Sequence, residues 1–105
     1  MELEVVWTDF SKNELKKIFD YHRENVSLII ARKIIKEIIK EIERLITRPN
    51  IGQEEELLSG DHRNFRYLVS QNYKIIYWVN LNKNRVEIFD VFDVRQNPQK
   101  IKRGK

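Results

Sequence analysis

The sequence contains no cysteine, three glycines, two prolines and two histidines. Without cysteine there is no disulfide framework, no thiolate metal ligand and no cysteine nucleophile, a usage compatible with a reducing compartment. His22 and His62 are too few to build a histidine metal centre, so neither a metal nor another cofactor is expected. Few Gly and Pro beside 41% hydrophobic and 34% charged residues exclude the collagen-like, low-complexity and disordered classes. No apolar run reaches the ~18 residues of a membrane span. The opening MELEVVWTDF lacks the charged-then-apolar layout of a signal peptide, so a cytoplasmic protein with no membrane partner is the expectation.

What is present fits one domain of 105 residues around one core. The net charge of +4 is unevenly spread. Up to Asp61 there are 10 Lys and Arg against 13 Asp and Glu; from His62 onward there are 10 against 3, a net of +7. Arg95, Lys100, Lys102, Arg103 and Lys105 give the end of the chain a basic run without an acid. Such a field attracts polyanions, although a solvated basic surface accounts for it equally well. A single domain over 1–98 and a basic tail over 99–105 are the expected organisation.

Residues Leu3 to Trp7 alternate as a short strand. Ser11 followed by Glu14 fits a capping box, and Leu15, Ile18, Phe19 and His22 recur at helical spacing, predicting a helix from about Phe10 to Glu24. His22 closes that stripe and reads as a structural residue near a helix C-terminus. Asn25 and Ser27 offer the next cap. Ile34, Ile38, Ile42 and Ile46 form a row four apart, flanked by Ile35 and Ile39, predicting a second helix over Ser27 to Thr47 that stops before Pro49. Asn50 to Asn64, with Gly52, Gly60 and Glu54-Glu55-Glu56, reads as a surface connection. Asn64 to Ser70, Tyr73 to Val79 and Arg85 to Val94 are strand-like in composition. The fold class is α+β, in the order β-α-α-β-β-β, with two N-terminal helices packed on one face of a small antiparallel sheet.

A two-residue turn at Gln71-Asn72 pairs Ser70 with Tyr73 and Phe65 with Trp78, and so fixes the faces. Arg66, Leu68, Tyr73, Ile75 and Tyr77 share one face; Phe65, Tyr67, Val69, Lys74, Ile76 and Trp78 share the other. Aromatic rings with a lysine among them offer stacking planes and a phosphate contact, and the same residues also suit a partner helix or a core. Strict alternation in the last strand places Val86, Ile88, Asp90, Phe92 and Val94 opposite Glu87, Phe89, Val91, Asp93 and Arg95. Arg95, at the strand's end before Pro98, suits either a phosphate or an ion pair with Asp93 or Asp90.

Asn72-Tyr73-Lys74-Ile75-Ile76-Tyr77 on the middle meander strand, followed by Val91-Phe92-Asp93-Val94-Arg95-Gln96-Asn97-Pro98, resembles the RelE/ParE superfamily of type II toxin-antitoxin toxins. The resemblance spans nearly the whole chain, including Leu58 and Gly60. It implies a small toxin that inhibits growth, of the class linked to plasmid stabilization, neutralised by a cognate antitoxin protein. RelE-type members cleave mRNA in the ribosomal A site by 2'-hydroxyl attack, as mRNA interferases; ParE-type members inhibit DNA gyrase. Either target, or a weakly active member that acts through antitoxin binding, is compatible with the resemblance. For a metal-independent endoribonuclease the implied catalytic candidates are Lys74, Arg95, Tyr67, Asp93 and His62, with Lys74 and Arg95 on the phosphate. Phe65, Arg66, Trp78, Lys100, Lys102 and Arg103 are the nucleic-acid-binding candidates. The chain departs from the ribonuclease pattern in carrying Phe65 and Tyr67 where lysines are usual, and Asp93 where many relatives have histidine.

Overall fold

The computed structural model describes residues 2–95. Its elements run β1 (Glu4–Trp7), α1 (Asp9–Asn25), α2 (Leu28–Glu43), β2 (Gln53–Glu54), β3 (Arg66–Ser70), β4 (Tyr73–Asn80) and β5 (Arg85–Asp93). The five strands form one mixed sheet in the order β1-β5-β4-β3-β2. The expected α+β order and antiparallel meander are present, with two additions. The first strand pairs parallel with β5, Glu4 opposite Arg85, so the helical hairpin serves as a crossover. Gln53–Glu54, inside the segment read as a surface connection, adds an antiparallel edge beside Tyr67 and Arg66.

The caps set where each helix begins. Thr8, not Ser11, caps α1: its side chain accepts from the Ser11 N–H at 3.1 Å, while Ser11 is fully buried and donates its own hydroxyl back to Thr8 O at 2.9 Å. Thr8 also donates to Ile88 O at 3.0 Å, which ties the helix start to β5. Ser27 caps α2 as expected. That helix ends at Glu43, four residues short of the expected Thr47, so Leu45 in the following turn continues the buried row of Ala31, Ile34, Ile38 and Ile42.

The main core lies between the helices and the sheet. Ile34, Ile38, Ile42 and Leu45 meet Leu68, Tyr73, Ile75 and Tyr77 of the meander and Val86, Ile88 and Val91 of β5. Ile38 is fully buried, and truncating such a side chain to alanine costs about 2–5 kcal/mol. The second face of the sheet is apolar too. Leu58, Phe65, Ile76, Phe89 and Phe92 pack there, with Leu57, Tyr67 and Trp78 against them. A 3-10 turn at Glu56–Leu58 supplies the leucines, so the connection before the meander covers this face.

The β3–β4 register is the expected one, from Ser70 opposite Tyr73 to Arg66 opposite Tyr77. In β5 strict alternation fails. A bulge between Ile76 and Tyr77 in the β4–β5 ladder leaves Ile76 opposite Asp90 but Tyr77 opposite Ile88, with Phe89 as the additional residue. After the bulge the faces exchange: Phe92 joins the second-face cluster and Val91 the helix-side core, the reverse of the alternating reading.

Candidate functional site

Two polar groupings stand on opposite faces of the same strand ends. On the second face, Lys74 of β4 and Glu55 of the connection form an ion pair, Nζ to Oε2 2.5 Å. The Glu55 side chain is 3% exposed and that of Lys74 19%. Glu55 reaches this position because its N–H bonds Phe65 O at 2.9 Å, extending the β2–β3 ladder, and because its Oε1 accepts from Leu57 N–H at 3.1 Å. The Lys74 ammonium lies 4.1 Å from the centre of the Tyr67 ring, a cation–π contact, and the Tyr67 hydroxyl donates to Gln53 Oε1 at 2.9 Å. Leu57, Lys74, Phe92 and Val94 line a small hollow of about 110 Å³ beside the pair. A carboxylate, an ammonium and a phenol are thus gathered on an otherwise apolar face.

On the helix side, a cleft of about 530 Å³ opens between α1 and the ends of β4 and β5. His22 Nε2 and the Tyr73 hydroxyl are hydrogen-bonded at 2.7 Å across it. Burial, reinforced by the Asp93 charge, raises the Tyr73 pKa above that of a free phenol. Asp93 is held below the usual carboxylate range, chiefly by its hydrogen bonds from Arg95. Arg95 Nε meets Asp93 Oδ1 at 2.9 Å and Nη2 meets Oδ2 at 2.5 Å.

The sequence-derived catalytic candidates are therefore divided. Lys74 and Tyr67 face one side, while Asp93 lines the cleft on the other with Arg95, because the bulge reverses the end of β5. Arg95 takes the ion pair with Asp93 that its position allowed. His62 joins neither group; it is 90% exposed, with Nδ1 3.7 Å from Asp61 Oδ1. Among the nucleic-acid candidates, Phe65 is 2% exposed and cannot stack on a base, being packed against Phe89 with their ring centres 4.6 Å apart. Arg66 donates to Gly52 O at 2.8 Å and so braces the connection. Trp78 is half-buried against the second-face cluster. Lys100, Lys102, Arg103 and the 99–105 tail lie outside the described residues.

Sequence reasoning missed Glu55, His22 and Tyr73 as site groups. Glu55 lay in a run of three glutamates with no local sign that the middle one turns inward. His22 did carry a signal, since it continues the inward stripe of Ile18 at helical spacing.

Residues 5–98 match the family model of the ParE toxin of the type II toxin-antitoxin system, parDE. The chain belongs to this family. The fold of this ParE-family chain is shared by solved structures of low identity. The chromosomal ParDE toxin-antitoxin system from P. aeruginosa is similar with a TM-score of 0.71 at 16% identity, over 88% of this chain and 96% of that one. The toxin-antitoxin complex RelBE2 from Mycobacterium tuberculosis gives 0.63 at 15%, over 89% and 99%. A mutant of E. coli toxin RelE in the free state gives 0.53 at 16%, over 90% and 85%. Among curated proteins the sequence finds no match. Among the described residues, no helix is long and apolar enough to cross a membrane, and no group of three or more His, Cys, Asp or Glu is placed to hold a metal.

Proposed function

We propose that this toxin arrests growth by cleaving mRNA on the ribosome, with Glu55, Lys74 and Tyr67 as the reacting groups. The observation that carries the reading is the Glu55–Lys74 ion pair beside the Tyr67 ring, set in an apolar face at the mouth of a hollow. Metal-independent cleavage needs a proton acceptor for the 2'-hydroxyl, a cation for the pentavalent phosphate and a donor for the leaving oxygen. Glu55, enclosed behind Lys74 in the free protein, is uncovered as the substrate phosphate draws the ammonium away, and then takes the hydroxyl proton as the 2'-oxygen bonds to phosphorus. Lys74 neutralises the charge that builds on the non-bridging oxygens, and Tyr67 protonates the departing 5'-oxygen. The products are a 2',3'-cyclic phosphate and a free 5'-hydroxyl. The low-dielectric surroundings of Phe92 and Leu57 strengthen each of these interactions.

A cognate antitoxin is the proposed partner. The turn between the helices and the start of α2 present Val26 at 61%, Leu28 at 41% and Ile29 at 78% exposure, an apolar surface such a partner would cover. The +7 second part of the chain complements an acidic segment.

Non-catalytic inhibition of DNA gyrase is the second reading. It is favoured by Phe65 and Tyr67 standing where the ribonuclease pattern has lysines, and by the use of Arg66 to brace backbone carbonyls.

The deciding experiment adds antitoxin-free protein to a translating ribosome system and maps mRNA 5' ends by primer extension, alongside Glu55→Gln and Lys74→Met. Cuts at A-site codons that disappear in both variants support the ribonuclease reading. Intact mRNA, accompanied by loss of gyrase supercoiling activity, transfers the assignment to the second reading.

A further inference from the structure

The helix-side cleft is not used by the reaction proposed above. Among the described residues, its lining includes two ion pairs in which the cation is outermost. Arg95 is 68% exposed while its partner Asp93 is 16%; Lys17 is 76% exposed while its partner Glu14 is 11%. The carboxylates therefore stand behind the cations and orient them, and the mouth of the cleft presents positive charge. Asp93 takes Nε and Nη2 of Arg95, so a phosphate would be met by the other edge of the guanidinium, Nη1 with the second hydrogen of Nη2. Tyr21 adds an aromatic wall, 54% exposed and fixed edge-to-face against His22 with ring centres 5.2 Å apart. Deeper in, the Tyr73–His22 hydrogen bond supplies a hydroxyl and an imidazole, and Ile18 and Val91 supply apolar floor. The volume of about 530 Å³ is that of an ordinary small-ligand pocket, for which ~300–1,000 Å³ is usual.

From these features we infer that the cleft binds a nucleoside monophosphate. The phosphate meets Arg95 and Lys17 at the rim, the base stacks on Tyr21, and the sugar hydroxyls meet Tyr73 and His22. A planar aromatic wall beside two rim cations suits a ligand with one flat and one dianionic part, since stacking on an aromatic side chain contributes about 1–3 kcal/mol per base. Binding requires no bond to form or break. It does not depend on the ribonuclease reading, because free nucleotide is the ligand and neither Glu55 nor Lys74 takes part.

The test titrates the purified full chain with GMP, AMP and inorganic phosphate, following backbone amide shifts by NMR and heat by calorimetry. Saturable nucleotide binding, with shifts centred on Tyr21, His22, Tyr73 and Arg95, is expected. Arg95→Gln weakens nucleotide and phosphate binding together by at least about tenfold. Tyr21→Ala weakens nucleotide but leaves phosphate unchanged. Both side chains are largely exposed, so both variants keep the fold, and the amide spectrum verifies this directly. Absence of saturable binding at millimolar nucleotide overturns the inference, as does binding unaffected by either substitution. Equal affinity for phosphate and nucleotide overturns the nucleotide assignment and leaves a simple anion site.

Discussion

Tyr73 and Lys74 are neighbours on β4 yet serve opposite faces, Tyr73 bonded to His22 in the helix-side cleft and Lys74 paired with Glu55 beneath the connection. The period of two along a strand separates the two sites by the thickness of the sheet and nothing more. A substitution at either residue is therefore expected to leave the other site's hydrogen bonds intact.

The buried ion pair makes a definite prediction about stability. Removing one member leaves the other charge enclosed, so Glu55→Gln or Lys74→Met alone should each cost about 3 kcal/mol in chemical denaturation. The double variant should be more stable than the sum of the two losses implies, because no charge is left unpaired. Additive losses would show that the pair does not couple in solution.

Gly52 is fixed by contact. A Cβ there would lie 2.5 Å from the Tyr77 hydroxyl and 2.7 Å from Tyr67 O. That hydroxyl accepts from Gly52 N–H at 2.9 Å and donates to Pro49 O at 2.7 Å. Gly52→Ala should destabilise by about 1–3 kcal/mol through overpacking. Tyr77→Phe should cost a similar amount, about 1–3 kcal/mol, by leaving a buried N–H unpaired. Thermal melts of both variants decide the point, and the double variant should stay close to the sum of the two losses, because Tyr67 O and the Cε1 of residue 77, each 2.7 Å from the added Cβ, remain after the hydroxyl is removed.

The helix cap separates the sequence reading from the structural one. Thr8→Ala removes the bond to Ser11 N–H and the tie to Ile88 O, and should lower stability by about 1–2 kcal/mol. Thr8→Ser, which keeps the oxygen, should recover most of that loss. A Thr8→Ala protein as stable as the parent would return the cap to Ser11.

Acid titration probes the cleft. The Asp93 carboxyl, depressed by Arg95, should titrate below the ordinary aspartate value of about 3.9. A carboxyl with a depressed folded-state pKa contributes stability above its unfolded value, and that contribution is lost as pH falls through the folded value. The Asp93 contribution is thus intact at neutral pH, begins to fall near about pH 4 and is gone only once the pH is below the depressed folded value. Carboxyl-carbon NMR should record the low value in the parent and a rise toward the ordinary one in Arg95→Ala. An unchanged midpoint in that variant would exclude the Arg95 bonds as its cause.

Much of the architecture was legible because it is periodic. The isoleucine row predicted α2, and Gln71-Asn72 set the β3–β4 register residue by residue. Of the family motif, Tyr73 to Tyr77 lie on β4 and Val91 to Asp93 on β5, while Gln96, Asn97 and Pro98 lie outside the described residues. The sites were less legible. Phe65 reads as an exposed stacking ring in a strand pattern, but Leu58 and Phe89 enclose it. Arg66 reads as a free cation, but the carbonyl of Gly52, fourteen residues earlier, takes it. Each outcome depends on a segment remote in sequence, where local spacing carries no information.

By itself the sequence determined the α+β class, the order of the main elements and the two apolar faces of the meander. These follow from side-chain periods of 3.6 and 2, which are local properties of the chain. Only the tertiary structure decided the contents of the two sites. The bulge at Phe89 turned Asp93 toward His22 and away from Lys74, and the return of the chain along β3 placed the middle glutamate of an apparently solvated run against that lysine. One additional residue in a ladder and one edge strand of two residues are beyond the reach of a pattern, because their energies depend on partners that only the folded chain brings together.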